Sequence, residues 1–195
     1  MTAALAVPAP LLPASPQARV PHQKRLVFHV PSAVEECAGV RLLRAGREQF
    51  GSDGPVARDF RFPGAGGHRI GIVERGSGWL SYHGRRAGLR AGTLYVLFDG
   101  IPVSFGPTAA DPMDVTFVLV AGDAIAALVE GIGLSPARPT LDVGPCPELR
   151  SIYREIRDAR GAYVLRAQSL LWALFSRIAE SASLPHRFWG AGVHA

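Results

Sequence analysis

Between His68 and Gly106 the chain alternates short apolar runs with glycines at a fixed beat: Gly76, Gly84, Gly92 and Gly100 fall eight residues apart. The runs between them, Trp79-Leu80-Ser81-Tyr82, Arg86-Ala87-Gly88-Leu89 and Leu94-Tyr95-Val96-Leu97-Phe98, have strand length. Runs of this kind at regular spacing predict an all-β sandwich or barrel. Glycine at each beat supplies the positive φ of a tight turn, and His83-Gly84 is the clearest two-residue hairpin loop. The stretch therefore reads as a meander around which the rest of the chain packs.

On the N-terminal side, Arg25 to Pro31 suits a first strand stopped by its proline, and a second strand is expected near Val40 to Leu43. Asp59-Phe60-Arg61-Phe62 alternates polar and apolar, as a strand with one wetter face does, and Pro63 to Gly67 forms a loop. Leu94 to Phe98 and Val115 to Val120 are apolar on both strand faces, so each side of the sheet must be covered. Barrel closure provides one cover and a docked helix the other. Gly122-Asp123 opens a short helix running to Glu130. From Pro147 the period becomes helical: Leu149, Ile152, Tyr153 and Ile156 mark one helix. Val164, Ala167, Leu171, Leu174 and Ile178 mark another from about Ala162 to Ala182, with a second apolar row at Leu170, Trp172 and Phe175. A band this wide fits either a helix wedged between its partner helix and the barrel or a dimer seam.

A chain of 195 residues can bury a core without disulfides. Cys37 and Cys146 lie far apart with no metal-type spacing, which favours reduced thiols in a cytoplasmic protein over a structural disulfide. Met1 to Ala18 lacks a basic start and carries Pro8, Pro10, Pro13 and Pro16, so it reads as a mobile arm rather than a signal peptide. No apolar run of about 18 residues is present to span a membrane. The net charge is +5, yet Lys24 is the only lysine and the arginines are scattered. Arg150, Arg154 and Arg157 share a helix face with Glu148, Glu155 and Asp158, the composition of a self-paired solvated face rather than a phosphate-binding stripe.

Several segments, taken in order, resemble the N-terminal ligand-binding and dimerisation domain of the arabinose-regulator (AraC) class of bacterial transcription factors. The likeness runs from about Arg44 to Ala182. It is carried by Glu74-Arg75-Gly76-Ser77-Gly78-Trp79, Gly84-Arg85-Arg86, Leu89-Arg90-Ala91-Gly92-Thr93-Leu94, Phe98-Asp99-Gly100-Ile101-Pro102, Gly133-Leu134-Ser135-Pro136 and Leu165 to Leu171. The resemblance implies a mainly β chain with C-terminal helices: a Pro-rich arm (1–24), a cupin-like antiparallel barrel, or double-stranded β-helix (25–122), a two-helix dimerisation hairpin (123–183) and a tail (184–195). It also implies a small-molecule effector held in the barrel under the arm, and a homodimer paired through Val164, Ala167, Leu171, Leu174 and Ile178. Full-length members continue into a helix-turn-helix domain. Nothing after Ala182 reads as a recognition helix, so no direct nucleic-acid binding is expected from these residues, and pairing with a full-length relative is a further option.

Enzymatic cupins hold a metal with histidines and a carboxylate. Against those motifs, Val103 occupies a ligand-histidine position, Arg69 the carboxylate position, and the other two histidines fall near Phe62 and Gly64. Only a displaced His68 is a donor, so no metal and no cofactor is expected. The six histidines form no HxH or HxxxH pair, and Glu74 to Gly78 lies in a hairpin, without the helix start that would hold a phosphate. The expected ligand contacts are Arg61, fourteen residues before Arg75 as in the family's sugar-binding arginine, and Phe105, Val115 and Phe117, which occupy family positions that touch the sugar. Those apolar replacements point to an effector less polar than a sugar, an aromatic or apolar acid. The bland readings are an exposed strand-end arginine and side chains that simply fill a small barrel, holding no ligand. No catalytic residue is assigned. The alternative function is a stand-alone cupin or a metal-independent isomerase-like enzyme, for which His68, Glu74 and Tyr82 are the available acids and bases.

Overall fold

The computed structural model describes residues 22–51, 67–108 and 111–182, together with the backbone of 56–58. Strands β1 (Gln23–Phe28), β2 (Arg41–Phe50), β4 (Gly67–Arg75), β7 (Thr93–Leu97), β9 (Met113–Ala121) and β10 (Thr140–Asp142) form one antiparallel sheet in the order β1-β2-β9-β4-β7-β10. Strands β3 (Val56–Arg58), β5 (Ser77–Tyr82), β6 (Arg85–Arg90) and β8 (Val103–Pro107) form a second, in the order β3-β8-β5-β6. The sheets face each other across one core. The Phe50 ring on the first meets Phe105 on the second at 5.2 Å, and the Tyr82 hydroxyl donates to the Val96 carbonyl at 3.1 Å. The result is a mainly antiparallel β structure with C-terminal helices, as the pattern predicts, and the cupin-like barrel that the resemblance implies.

All four beat glycines have positive φ, at 74°, 77°, 86° and 69° in chain order, but only one turns a hairpin. Tyr82 pairs with Arg85 across His83 (φ 48°) and Gly84, the doubly positive geometry of a tight two-residue loop. Gly76 and Gly92 instead carry the chain from one sheet to the other, because β4 and β7 lie in the larger sheet while β5 and β6 lie in the smaller. The stretch is therefore not a simple meander. At the Gly76 corner a Cβ would stand 1.8 Å from the Pro112 carbonyl oxygen, so the close approach of backbone as well as φ requires glycine there.

Two N-terminal features differ from expectation. The strand placed near Val40 to Leu43 runs on to Phe50 after an irregularity between Leu42 and Arg44, its length disguised by Arg44, Arg47, Glu48 and Gln49. A short helix, α1 (Ala33–Ala38), precedes it, and the Ser32 N–H donates to the Glu35 carboxylate at 2.9 Å in a capping box. The strand expected at Asp59 to Phe62, the arm before residue 22 and the tail after 182 lie outside the described residues.

Helices α2 (Asp123–Gly131), α3 (Pro147–Asp158) and α4 (Tyr163–Ser181) follow the predicted bounds closely. Helix α3 buries Leu149, Ile152 and Ile156 on the sheet face opposite the barrel interior, against β9, β2 and β1, so the two-faced strands are covered on both sides. Its charged face, expected to pair with itself, pairs mostly with other elements: Arg157 bonds Asp158 at 2.7 Å within the helix, but Arg150 reaches Glu74 on β4 at 2.7 Å, and Arg166 and Arg177 on α4 bond Glu155 and Glu148 at 2.9 and 3.0 Å. Cys37 and Cys146 are free thiols, and burial together with the neighbouring Glu148 pushes the Cys146 thiol up to about 12. Among the described residues no helix is long and apolar enough to cross a membrane.

Candidate functional site

Strand alternation places every second residue of the larger sheet in the barrel interior, and the register stacks them in rows. One row runs Gly46, Phe117, Gly71, Tyr95 across β2, β9, β4 and β7. The two glycines make room for the two rings. A Cβ on Gly46 would come within 2.6 Å of the Phe117 ring, and one on Gly71 within 2.4 Å of the Tyr95 ring. Beside this row Glu48 pairs with Val115, which pairs in turn with Val73, and Arg69 pairs with Leu119 and Leu97. Phe105 closes the chamber from the smaller sheet.

At its centre lies a buried ion pair. Arg69 is 1% exposed, and its Nη2 donates to Glu48 Oε2 at 2.9 Å and to the Tyr95 hydroxyl at 3.1 Å. The guanidinium stacks 3.6 Å from the Phe117 ring centre, with Phe105 at 5.4 Å and Tyr95 at 5.9 Å. Arg69 Nε is buried and meets no hydrogen-bond acceptor. The other Glu48 oxygen turns to the start of β1, accepting from His22 Nε2 at 2.9 Å, with Lys24 Nζ at 3.7 Å. The His22 ring lies flat on Phe50, centres 5.0 Å apart and planes 14° apart, as a lid over the pair. Burying such a pair costs several kcal/mol per ion before its attraction is counted, and apolar residues of the same volume are often more stable. A charged pair kept in a dry chamber is therefore a candidate site.

The structure brings together Phe105, Val115 and Phe117, all at most 2% exposed, around this pair. Arg61 lies outside the described residues. The guanidinium seen in the barrel belongs to Arg69, which the sequence marks only as standing where a metal carboxylate would. Glu48 and Tyr95 carry no motif, and their role emerges only when the strand register is known. Val103 is buried in the second sheet, and among the described residues no three metal-ligating side chains converge.

The three acid or base candidates do not meet. Glu74 pairs with Arg150 at the surface of α3. The Tyr82 hydroxyl accepts from the Phe98 N–H at 2.8 Å while donating to Val96, and burial raises its pKa. His68 Nδ1 accepts from the Asp99 N–H at 3.2 Å, and burial lowers its pKa against the opposing pull of the Asp99 charge. A base whose folded pKa is depressed favours folding while neutral, so stability should fall as pH drops below the ordinary imidazole range near 6.5. The His68→Asn variant retains an acceptor for that N–H and should show a flatter pH profile of melting temperature between about pH 5 and 7.

The helix row assigned to a dimer seam is already used within the chain. Ala167, Leu171, Leu174 and Ile178 are at most 1% exposed, and Val164 is half-buried. Their surface is covered by the same molecule, so of the two readings of α4 the wedged helix is the one observed for this face. The outward face carries Leu165, Ser169 and Trp172 instead, with Leu165 57% and Trp172 42% exposed.

Similar solved structures include the protein YhaK from Escherichia coli, with 11% identity, a TM-score of 0.43, and coverage of 51% of this chain and 45% of that one. The cupin domain of an XRE family transcriptional regulator from Enterobacter cloacae has 10% identity, a TM-score of 0.38 and coverage of 50% and 94%. A cupin protein from Bacteroides fragilis has 13% identity, a TM-score of 0.37 and coverage of 58% and 85%. The match to YhaK thus spans less than half of that protein. No curated protein matches the chain. Residues 53–175, well over half of the sequence, match the AraC-like ligand binding domain, and the chain belongs to that family.

Proposed function

We propose that this chain is the effector-sensing and dimerisation module of a cytoplasmic AraC-type transcription regulator, with a non-catalytic barrel that holds a small molecule less polar than a sugar. The observation that supports the reading best is the Arg69–Glu48 pair, enclosed by Phe105, Phe117 and Tyr95 and lidded by His22. A sugar's hydroxyl groups need several polar partners, whereas among the described residues the walls around the Arg69–Glu48 pair and the Tyr95 phenol are apolar rings. Indole, flat and nearly apolar, should raise the melting temperature of the full chain, and arabinose should leave it unchanged. A rise with arabinose alone would reverse the assigned polarity.

Dimerisation is assigned to the outward face of α4, where an exposed leucine and tryptophan lie opposite the row buried within the chain. The Trp172→Glu variant should still fold with only a modest loss of melting temperature, since the ring is 42% exposed and its ring contact is with Phe175 on the same helix. On sizing chromatography at about 50 µM it should elute as a monomer while the parent elutes as a dimer. A monomeric parent at that concentration removes this part of the reading.

A further inference from the structure

We propose that the effector carries a carboxylate on a flat apolar body, and that Arg69 is the residue that takes it. The inference deepens the sensing reading above and depends on it. The guanidinium is fully buried, yet only Nη2 is bound, while Nε meets no acceptor. Nε and Nη2 lie on one edge of a planar fork, the spacing that matches the two oxygens of a carboxylate. Glu48 fills only half of that fork: Oε2 reaches Nη2, while Oε1 is turned away toward His22 and Lys24. The site is thus an arginine fork with one tine vacant, in surroundings dry enough that a charge-assisted pair would be strong.

The walls select the rest of the molecule. Phe117 stacks on one face of the guanidinium and Phe105 flanks it, so the neighbouring surface is aromatic. A flat apolar body can lie against those rings, and its carboxylate can compete with Glu48 Oε2 for the fork. The displaced Glu48 keeps partners at the chamber mouth, where His22 and Lys24 already face its other oxygen. Access lies there too, because the His22 side chain is 37% exposed and Lys24 27% exposed above a pair that is otherwise closed.

The test uses the full chain, benzoate as probe and benzamide as its neutral isostere, with melting temperature and titration calorimetry as readouts. Benzoate at about 100 times its dissociation constant should raise the melting temperature by about 5 °C, while benzamide at the same concentration should give a clearly smaller rise, because it offers the walls the same flat ring but no carboxylate for the fork. The double variant Arg69→Met with Glu48→Met removes both charges together and keeps an apolar chamber, so it should fold and bind benzoate at least about tenfold more weakly. Equal binding of benzamide and benzoate, or unchanged benzoate affinity in the double variant, overturns the proposal. Binding of indole with none of benzoate overturns it while leaving the sensing reading intact, and binding of neither removes both.

Discussion

The Arg69→Met substitution is expected to destabilise the fold by about 3–5 kcal/mol, and adding Glu48→Met is expected to recover most of that loss. The single change leaves a carboxylate that is 2% exposed, among aromatic rings, and takes the guanidinium away from its Oε2. His22 and Lys24 reach only its other oxygen, at 2.9 and 3.7 Å. The double change removes the buried carboxylate along with the guanidinium and leaves two flexible apolar side chains that can settle against Phe117 and Phe105. Chemical denaturation of the parent, both single variants and the double variant closes a cycle whose coupling term should be at least about 2 kcal/mol. A coupling near zero would mean that the two groups do not share a dry environment, and the site would dissolve with it.

That pair also shows where sequence reading stops. Arg69 stands just before an apolar run, Ile70 to Val73, and Glu48 lies in a polar one, Arg47-Glu48-Gln49. Neither context announces that both point into the same chamber, because a strand's facing is fixed by its partners. Shifting the register by one residue would send both charges to the opposite face. The resemblance singles out Phe105, Val115 and Phe117 from family positions alone, and the structure buries all three around the pair. The helices were legible for a different reason: the 3.6-residue period persists through 12 residues of α3 and 19 of α4, enough to fix their bounds. What periodicity could not decide was the destination of α4's apolar row, since a face buried by its own barrel and one buried by a partner have the same pattern. The glycine beat was misread in part for a similar reason. A positive φ marks a turn, but whether the turn joins two paired strands or two sheets depends on contacts far away in sequence. Six-residue α1 shows no sustained period at all, and its capping pair Ser32 and Glu35 was the available signal.

Glu35 is the position at which a single isosteric change should have the second large effect, and the reason is a count of donors. Its Oε2 accepts from His29 Nε2 at 2.7 Å, the Ser32 N–H at 2.9 Å and the Ser32 hydroxyl at 3.1 Å. Its Oε1 accepts from the Leu42 N–H at 2.9 Å and from Gln168 Nε2 at 3.2 Å. One fully buried carboxylate thereby joins α1, the end of β1, the start of β2 and helix α4, and His29 extends the link to the Tyr163 hydroxyl at 3.3 Å. Glutamine keeps the shape but replaces one acceptor with a donor. Either orientation of its amide sets that NH₂ against donors, facing Leu42 and Gln168 or facing Ser32 and His29. Glu35→Gln is therefore expected to cost about 3 kcal/mol, as buried groups with unmet hydrogen bonds do. The pH dependence follows from the same geometry. Burial pushes the Glu35 pKa up, but the hydrogen bonds from His29, Ser32 and Leu42 outweigh it and hold the carboxyl below its ordinary value of 4.5. A group depressed in this way contributes its full stability above the ordinary carboxylate range and loses it as the pH falls through the lowered folded value. The parent should therefore lose stability steeply below about pH 5, and Glu35→Gln should show a shallower acid limb as well as a lower plateau at neutral pH. A variant with the plateau and slope of the parent would show that the carboxyl is not the acceptor hub that these distances describe.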